Sequence, residues 1–263
     1  MKIRLLAVGI VLNLLCSPPS FAAHPLATDD AGTNGQLKFQ VETSAEFAWD
    51  KQNSVKTNSQ SLNVALSAGL LESLDLSVAY PFSWQNVKNN NTTVLDNGGL
   101  NDLTLALKWR FLELGPASFA VKPSLTFPTG NYERGLGSGR ASYGATLIST
   151  VEFKELPLPV AVHANAGYTR QQYCDADRDA NRETLWNLSL AGTIEVLKGL
   201  QVVAEVGTVT NPDKASTVWP AFVTGGAIYS VLDGLDLSLG AKGALNKPEV
   251  DIALLAGITF KFP

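Results

Sequence analysis

The stretch Asn101–Phe127, NDLTLALKWRFLELGPASFAVKPSLTF, decides the fold. From Leu103 the odd positions Leu103, Leu105, Leu107, Trp109 and Phe111 are all apolar, and between them stand Asp102, Thr104, Ala106, Lys108 and Arg110. Successive side chains of a strand point to opposite faces, so one face is greasy and the other polar and charged. A turn carrying Gly115-Pro116 reverses the chain, and Phe119, Val121, Pro123, Leu125 and Phe127 resume the apolar face opposite Ala120, Lys122, Ser124 and Thr126. The chain repeats this unit to its end and has almost no helical pattern to cover the greasy face. Closure into a membrane barrel buries that face in lipid and leaves no open edge.

Working outward, Leu37–Trp49, Leu62–Ala68 and Leu74–Trp84 show the same alternation upstream, as do the stretches around Arg140–Phe153 and Val160–Tyr168 downstream. Further strands carry Trp186–Val196, Val202–Val206, Leu235–Ala241 and Val250–Phe260 outward. The segment Val218–Val231 is the least clear, because FVTGGAIYS is apolar on both faces. About twelve strands result. Five tight turns alternate with six longer polar connections, among them an Asn-rich loop at 85–100, a Gly-rich loop at 128–139 and an acidic loop at 171–183. Outer-membrane barrels show this asymmetry, with short periplasmic turns and longer outside loops, and an even strand count puts both termini in the periplasm. Aromatic residues gather near strand ends, as interfacial girdles require. The expected fold is therefore all-β, a transmembrane antiparallel up-and-down barrel over residues 37–263.

Residues 1–22 read as a cleavable signal peptide: Lys2 and Arg4, an apolar core Leu5–Leu15, then Ser20-Phe21-Ala22 as a small-x-small site. Residues 23–36, AHPLATDDAGTNGQ, are polar and turn-rich. They read as a periplasmic lead-in too short to plug a barrel. Without residues 1–22 the 20 basic residues fall to 18 against 24 acidic ones, a net charge of −6. That balance argues against nucleic-acid binding, which needs a basic footprint. The mature chain keeps only Cys174, so it has no internal disulfide.

Four stretches resemble the outer-membrane family described as "Putative MetA-pathway of phenol degradation": HPLATDDAGTNGQLKFQVE, GLNDLTLALKWRFLE, FPTGNYERGLGSGRASYGATL and IYSVLDGLDLSLGAKGALN. They span nearly the whole mature chain in the expected order, and Pro-Thr-Gly followed by Gly-Leu-Gly-Ser-Gly is the most specific part. The resemblance implies an outer-membrane transporter linked to the use of aromatic compounds. It carries over no catalytic or binding residue.

The candidate functional set is the inward-facing charge: Lys108, Arg110, Lys122, Arg140, His163, Glu195, Glu205, Asp236 and Lys242. Basic residues concentrate on strands four to six and Glu195 and Glu205 on strands eight and nine, so opposed charged walls across a water-filled lumen would select polar solutes. The alternative is that these charges pair and fill a narrow closed lumen. His163 with Asn165 lacks a serine two residues beyond, where Gly167 stands, and both point inward, away from lipid. A lipid-acting enzyme of the outer-membrane phospholipase type is disfavoured, and the chain reads as a non-enzyme without cofactor. The loop CDADRDANRE carries alternating acidic residues, but a calcium-hand loop needs Gly at its sixth position and Glu at its twelfth, where Ala180 and Trp186 stand. It reads as a solvated acidic loop, open to bridging by divalent ions to surface lipopolysaccharide, with no specific metal site. GLGSGR lacks the Lys-Ser/Thr and the strand-to-helix setting of a phosphate loop. The expected function is an outer-membrane channel or transporter for small solutes, with aromatic, phenol-type compounds as the class the resemblance implies. The alternative is a structural or surface-loop-interacting barrel with a closed lumen. The expected partners are outer-membrane lipid and lipopolysaccharide, the barrel-assembly machinery and a small solute.

Overall fold

A computed structural model describes residues 24–263; the signal-peptide reading of residues 1–22 lies outside them. Thirteen strands form one antiparallel sheet: β1 (Phe39–Gln52), β2 (Val55–Leu71), β3 (Leu74–Asn89), β4 (Thr92–Leu100), β5 (Leu103–Leu114), β6 (Ala117–Phe127), β7 (Ser142–Phe153), β8 (Val160–Arg170), β9 (Thr184–Leu197), β10 (Leu200–Val209), β11 (Ala221–Leu232), β12 (Leu235–Ala244) and β13 (Ile252–Phe262). β1 pairs with both β2 and β13, which closes the ring. β4 pairs with the upper part of β3 and β5 with its lower part, so β4 and β5 are one stave broken at Asn101-Asp102. The barrel thus has twelve staves.

Closure follows from the alternation. In lipid an unpaired backbone N–H or C=O costs several kcal/mol, so every strand must find a neighbour on both sides. The side-chain arrangement is inverted relative to a soluble protein: Leu66, Trp109, Leu147 and Leu239 are each more than half exposed on the outside. Asp75, Lys122, His163 and Glu205 are each less than a tenth exposed within. Aromatic pairs mark both rims, Phe39 on Phe262 with ring centres 5.8 Å apart at the short-turn end and Tyr168 on Trp186 at 5.0 Å at the long-loop end.

Two features depart from the sequence reading. The Asn-rich segment 85–100 is no loop, because β3 continues to Asn89, turns at Asn90-Asn91 and returns as β4. Both turn residues have positive φ, 49° and 64°, which asparagine tolerates and which matches the twist of a tight hairpin. Polar residues on both faces hid this ribbon, since it rises beyond the greasy band and needs no apolar face.

The second departure concerns residues 24–36. They do not lie outside the barrel as a lead-in: they run as an irregular strap inside it, bonded to inward side chains of β3, β5, β7, β10 and β12. An extended chain advances about 3.3 Å per residue, so a dozen residues reach across a lumen of this size. The apolar inner faces that blurred β11 are explained by this strap. Leu26 packs with Ala191, Val203 and Ile228, and Ala31 with Ala120 and Ile148.

Leu239 lies midway along β12 on the lipid face. Leu239→Arg is expected to destabilise the barrel by about 2–4 kcal/mol in reversible urea unfolding in lipid vesicles.

Candidate functional site in the lumen

The strap meets the wall through a few strong anchors. Asp29 is 2% exposed, with Lys108 Nζ at 2.8 Å from one carboxylate oxygen and Lys122 Nζ at 2.6 Å from the other. The two lysines come from adjacent strands of the decisive hairpin, and the carboxylate is the counter-charge that allows both to stay buried. Burial alone would raise the pKa of Asp29, but Lys108 and Lys122 outweigh it and hold the group below the usual carboxylate range. Lys108 also donates to the carbonyls of Asp30 and Gly32, each at 3.1 Å. With its amide oriented to suit its neighbours, Asn165 donates to the Asp29 carbonyl at 2.9 Å and accepts from the Asp29 N–H at 2.6 Å.

Across the lumen Glu205 takes the opposite role. Its carboxylate accepts from the backbone N–H of Thr28 at 2.6 Å, that of Ala27 at 3.0 Å and the Thr28 hydroxyl at 2.5 Å. The Ala31 N–H donates to Thr150 Oγ1, which also meets His163 Nδ1 at 3.0 Å. The Asn34 N–H donates to Asp75 at 2.9 Å near the short-turn end. At the far end His24 Nδ1 lies 2.7 Å from Ser238 Oγ. Burial lowers the His24 pKa to about 4, with Glu46 opposing weakly.

Space for that end comes from missing side chains. A β-carbon at Gly226 or Gly240 would stand 2.7 or 2.8 Å from the Pro25 ring, and one at Gly257 would stand 2.6 Å from His24. Three inward glycines on three neighbouring strands thus form the cradle for His24-Pro25.

Of the nine charged candidates, Lys108, Lys122, His163 and Glu205 surround the strap. Lys242 sits nearer the long-loop end between Glu46 at 3.0 Å and Glu249 at 3.6 Å. The others serve the rims. Arg110 pairs with Glu113 and donates to the Glu72 carbonyl, Glu195 accepts from the Gly199 N–H, and Asp236 pairs with Lys261. Arg140 lies 3.6 Å from Asp175 among the outer loops. Of the two charged walls, only Lys108 and Lys122 on one side and Glu205 on the other meet the strap.

At the long-loop end the Gly-rich segment finds its use. Asp102, at the break between β4 and β5, accepts from the backbone N–H groups of Gly130 and Ser138, each at 2.9 Å. A β-carbon at Gly130 would collide with the Leu136 carbonyl, and one at Gly137 with the Asp102 carboxylate. The loop cradles an acidic side chain of its own barrel, and Leu136 is pressed against the inner wall near Ser83 and Gln85. In the acidic loop, Asp175 pairs with Arg178 and Glu183 with Arg170. Among the described residues no cluster of three metal-ligating side chains occurs.

The closed antiparallel barrel has relatives. The model of the family "Putative MetA-pathway of phenol degradation" matches residues 26–262, and the chain belongs to that family. Among solved structures it is similar to the COG4313 outer membrane channel from Pseudomonas putida F1, at 17% identity and TM-score 0.67, covering 89% of this chain and 98% of that one. The KdgM porin shares the fold at 10% identity and TM-score 0.54, covering 85% and 99%. So does the transport unit of the autotransporter AIDA-I from Escherichia coli, at 8% and 0.54, covering 98% and 97%. No curated protein matches the sequence. At these identities the likeness is one of fold.

Replacing Asp29 by Ala leaves Lys108 and Lys122 buried without their shared counter-charge, a defect that typically costs about 3–5 kcal/mol. The expected outcome is release of the strap, seen as a rise of at least tenfold in amide hydrogen exchange over residues 26–34 while the barrel strands stay protected. For His24 the sign is set by its lowered pKa. The seated ring is neutral, so seating is unpenalised above about pH 6.5 and weakens as pH falls towards 4. Protection at residues 24–27, taken relative to intrinsic amide exchange at each pH, is expected to fall between pH 7.5 and 5, and His24→Gln to flatten that dependence.

Proposed function

We propose that the protein is an outer-membrane channel for small solutes of the phenol type, whose bore is set by the strap. The observation that carries this reading is how the strap is held. It pairs with no strand of the barrel and is fixed by a handful of side-chain anchors to a polar, charged wall. A sealed structural core would be expected to pack apolar side chains throughout, as soluble interiors do. Here the apolar contacts are two small clusters, and the rest of the contact is hydrogen bonds and ion pairs that water can replace.

Solute passage follows bore and charge, with no covalent step. Lys108, Lys122 and Glu205 set the field of the middle lumen, Lys242 with Glu46 and Glu249 that of the outer half. The phenolic class is taken from the family description and suits a narrow polar bore: a small aromatic solute is flat and has a single hydroxyl to satisfy. The fold relatives described as a channel and as a porin support passage of solutes in general. A second reading, a barrel with closed lumen and working surface loops, draws on the number of strap anchors.

Single-channel recording in planar bilayers separates the two. The wild type is expected to show a small stable conductance, reduced by added phenol. Asp29→Ala is expected to enlarge it severalfold and shift selectivity towards anions, because the bore then loses the carboxylate that Lys108 and Lys122 share. A folded wild type and a folded Asp29→Ala variant that are both silent would overturn the channel reading.

A further inference from the structure

We propose that the outward face of β1–β3, just beyond the greasy band at the long-loop end, is a binding site for the phosphorylated sugar headgroup of an outer-leaflet glycolipid. The site lies on the wall opposite the lumen and depends on the membrane placement of the barrel, not on conduction. Cross-strand register stacks the side chains of this face in rows. The last purely apolar row is Ala45, Leu62 and Phe82. Above it come Phe47, Gln60 and Trp84, then Trp49, Asn58 and Asn86. The next row is Lys51, Lys56 and Lys88.

Three lysines side by side on adjacent strands is an unfavourable arrangement for a sheet in isolation, since like charges directly opposite destabilise it. None of the three makes an ion pair among the described residues. An anion seated across the row removes the conflict, and ammonium groups are natural phosphate ligands. Below the lysines lies an open groove of about 250 Å³, lined by Asn58, Gln60, Trp84, Asn86 and Asp96. The indole N–H of Trp84 donates to Asp96 at 2.9 Å, which fixes the ring as a platform for a sugar face. Amide side chains beside that ring offer donors and acceptors to sugar hydroxyls. Rows two residues apart along a strand are separated by about 7 Å, so the sequence apolar, aromatic-amide, cationic follows a glycolipid from acyl chain to sugar to phosphate.

The test is native mass spectrometry of the refolded full-length barrel in detergent, titrated in turn with hexa-acylated lipid A carrying its phosphates, the same lipid dephosphorylated, and phosphatidylglycerol. The phosphorylated glycolipid is expected to bind at least tenfold more tightly than either of the others. The triple variant Lys51→Gln, Lys56→Gln, Lys88→Gln is expected to lose that preference, because each lysine near an anionic lipid surface contributes about a factor of five. A triple change at Lys154, Lys198 and Lys261, near the short-turn end, is expected to leave it intact. Trp84→Ala, which keeps the lysines, is expected to weaken both glycolipids and leave phosphatidylglycerol unchanged. Equal affinity of the wild type for phosphatidylglycerol and phosphorylated lipid A would overturn the proposal, as would undiminished preference in the Lys51, Lys56, Lys88 variant. Heat-modifiable migration on a gel reports whether each variant has folded.

Discussion

Hydrocarbon offers no partner to a peptide N–H or C=O, and the rest of this structure depends on that constraint. It forces β1 to pair with β13 as well as β2, and the resulting closed wall fixes which side chains meet. Once the wall is closed, alternation sends every second side chain inward, and the hairpin of β5 and β6 brings Lys108 and Lys122 together in a confined space. Two ammonium groups there demand a carboxylate. Asp29 supplies it from the chain's own N-terminal segment, so the contents of the lumen follow from the manner of closing the wall.

The inner strap and the outer loop obey the same logic at different heights. Asp29 is an acid held by two side-chain cations from the wall, whereas Asp102 is a wall acid held by two backbone N–H groups of a loop. In both, a carboxylate taken out of bulk water is fully provided for, and glycines clear the ground: Gly226, Gly240 and Gly257 beneath the strap, Gly130 and Gly137 around Asp102. The exterior differs. Its lysine row has no such partner within the protein, which sets it apart from the buried charges of the interior.

What was legible in the sequence was whatever period two imprints. The hairpin Leu103–Phe127 announced its two faces, and each outward residue named there is outward in the structure. The strap was not legible, because its partners lie 36 to 214 residues away and its own composition is that of any polar linker. One faint sign pointed to it: inward glycines at 226, 240 and 257 that a side-chain-filled lumen would not need. The ribbon of β3 and β4 escaped because a strand standing in water on both faces loses the contrast that alternation relies on. For Arg110, Glu195 and Asp236 parity assigns a face but says nothing of height, and they belong to the rim.

The scatter of the strap's anchors has a consequence for the order of events. Residues 24–36 are among the first to be synthesised, yet Glu205 and Ser238 lie 177 and 214 residues downstream of the groups they bind. No partial sheet of early strands contains that pair of anchors, and Gly257, which makes room for His24, sits on the strand that seals the ring. The oldest part of the chain is therefore the last to find its place. Its arrival marks the moment at which the barrel has become a container.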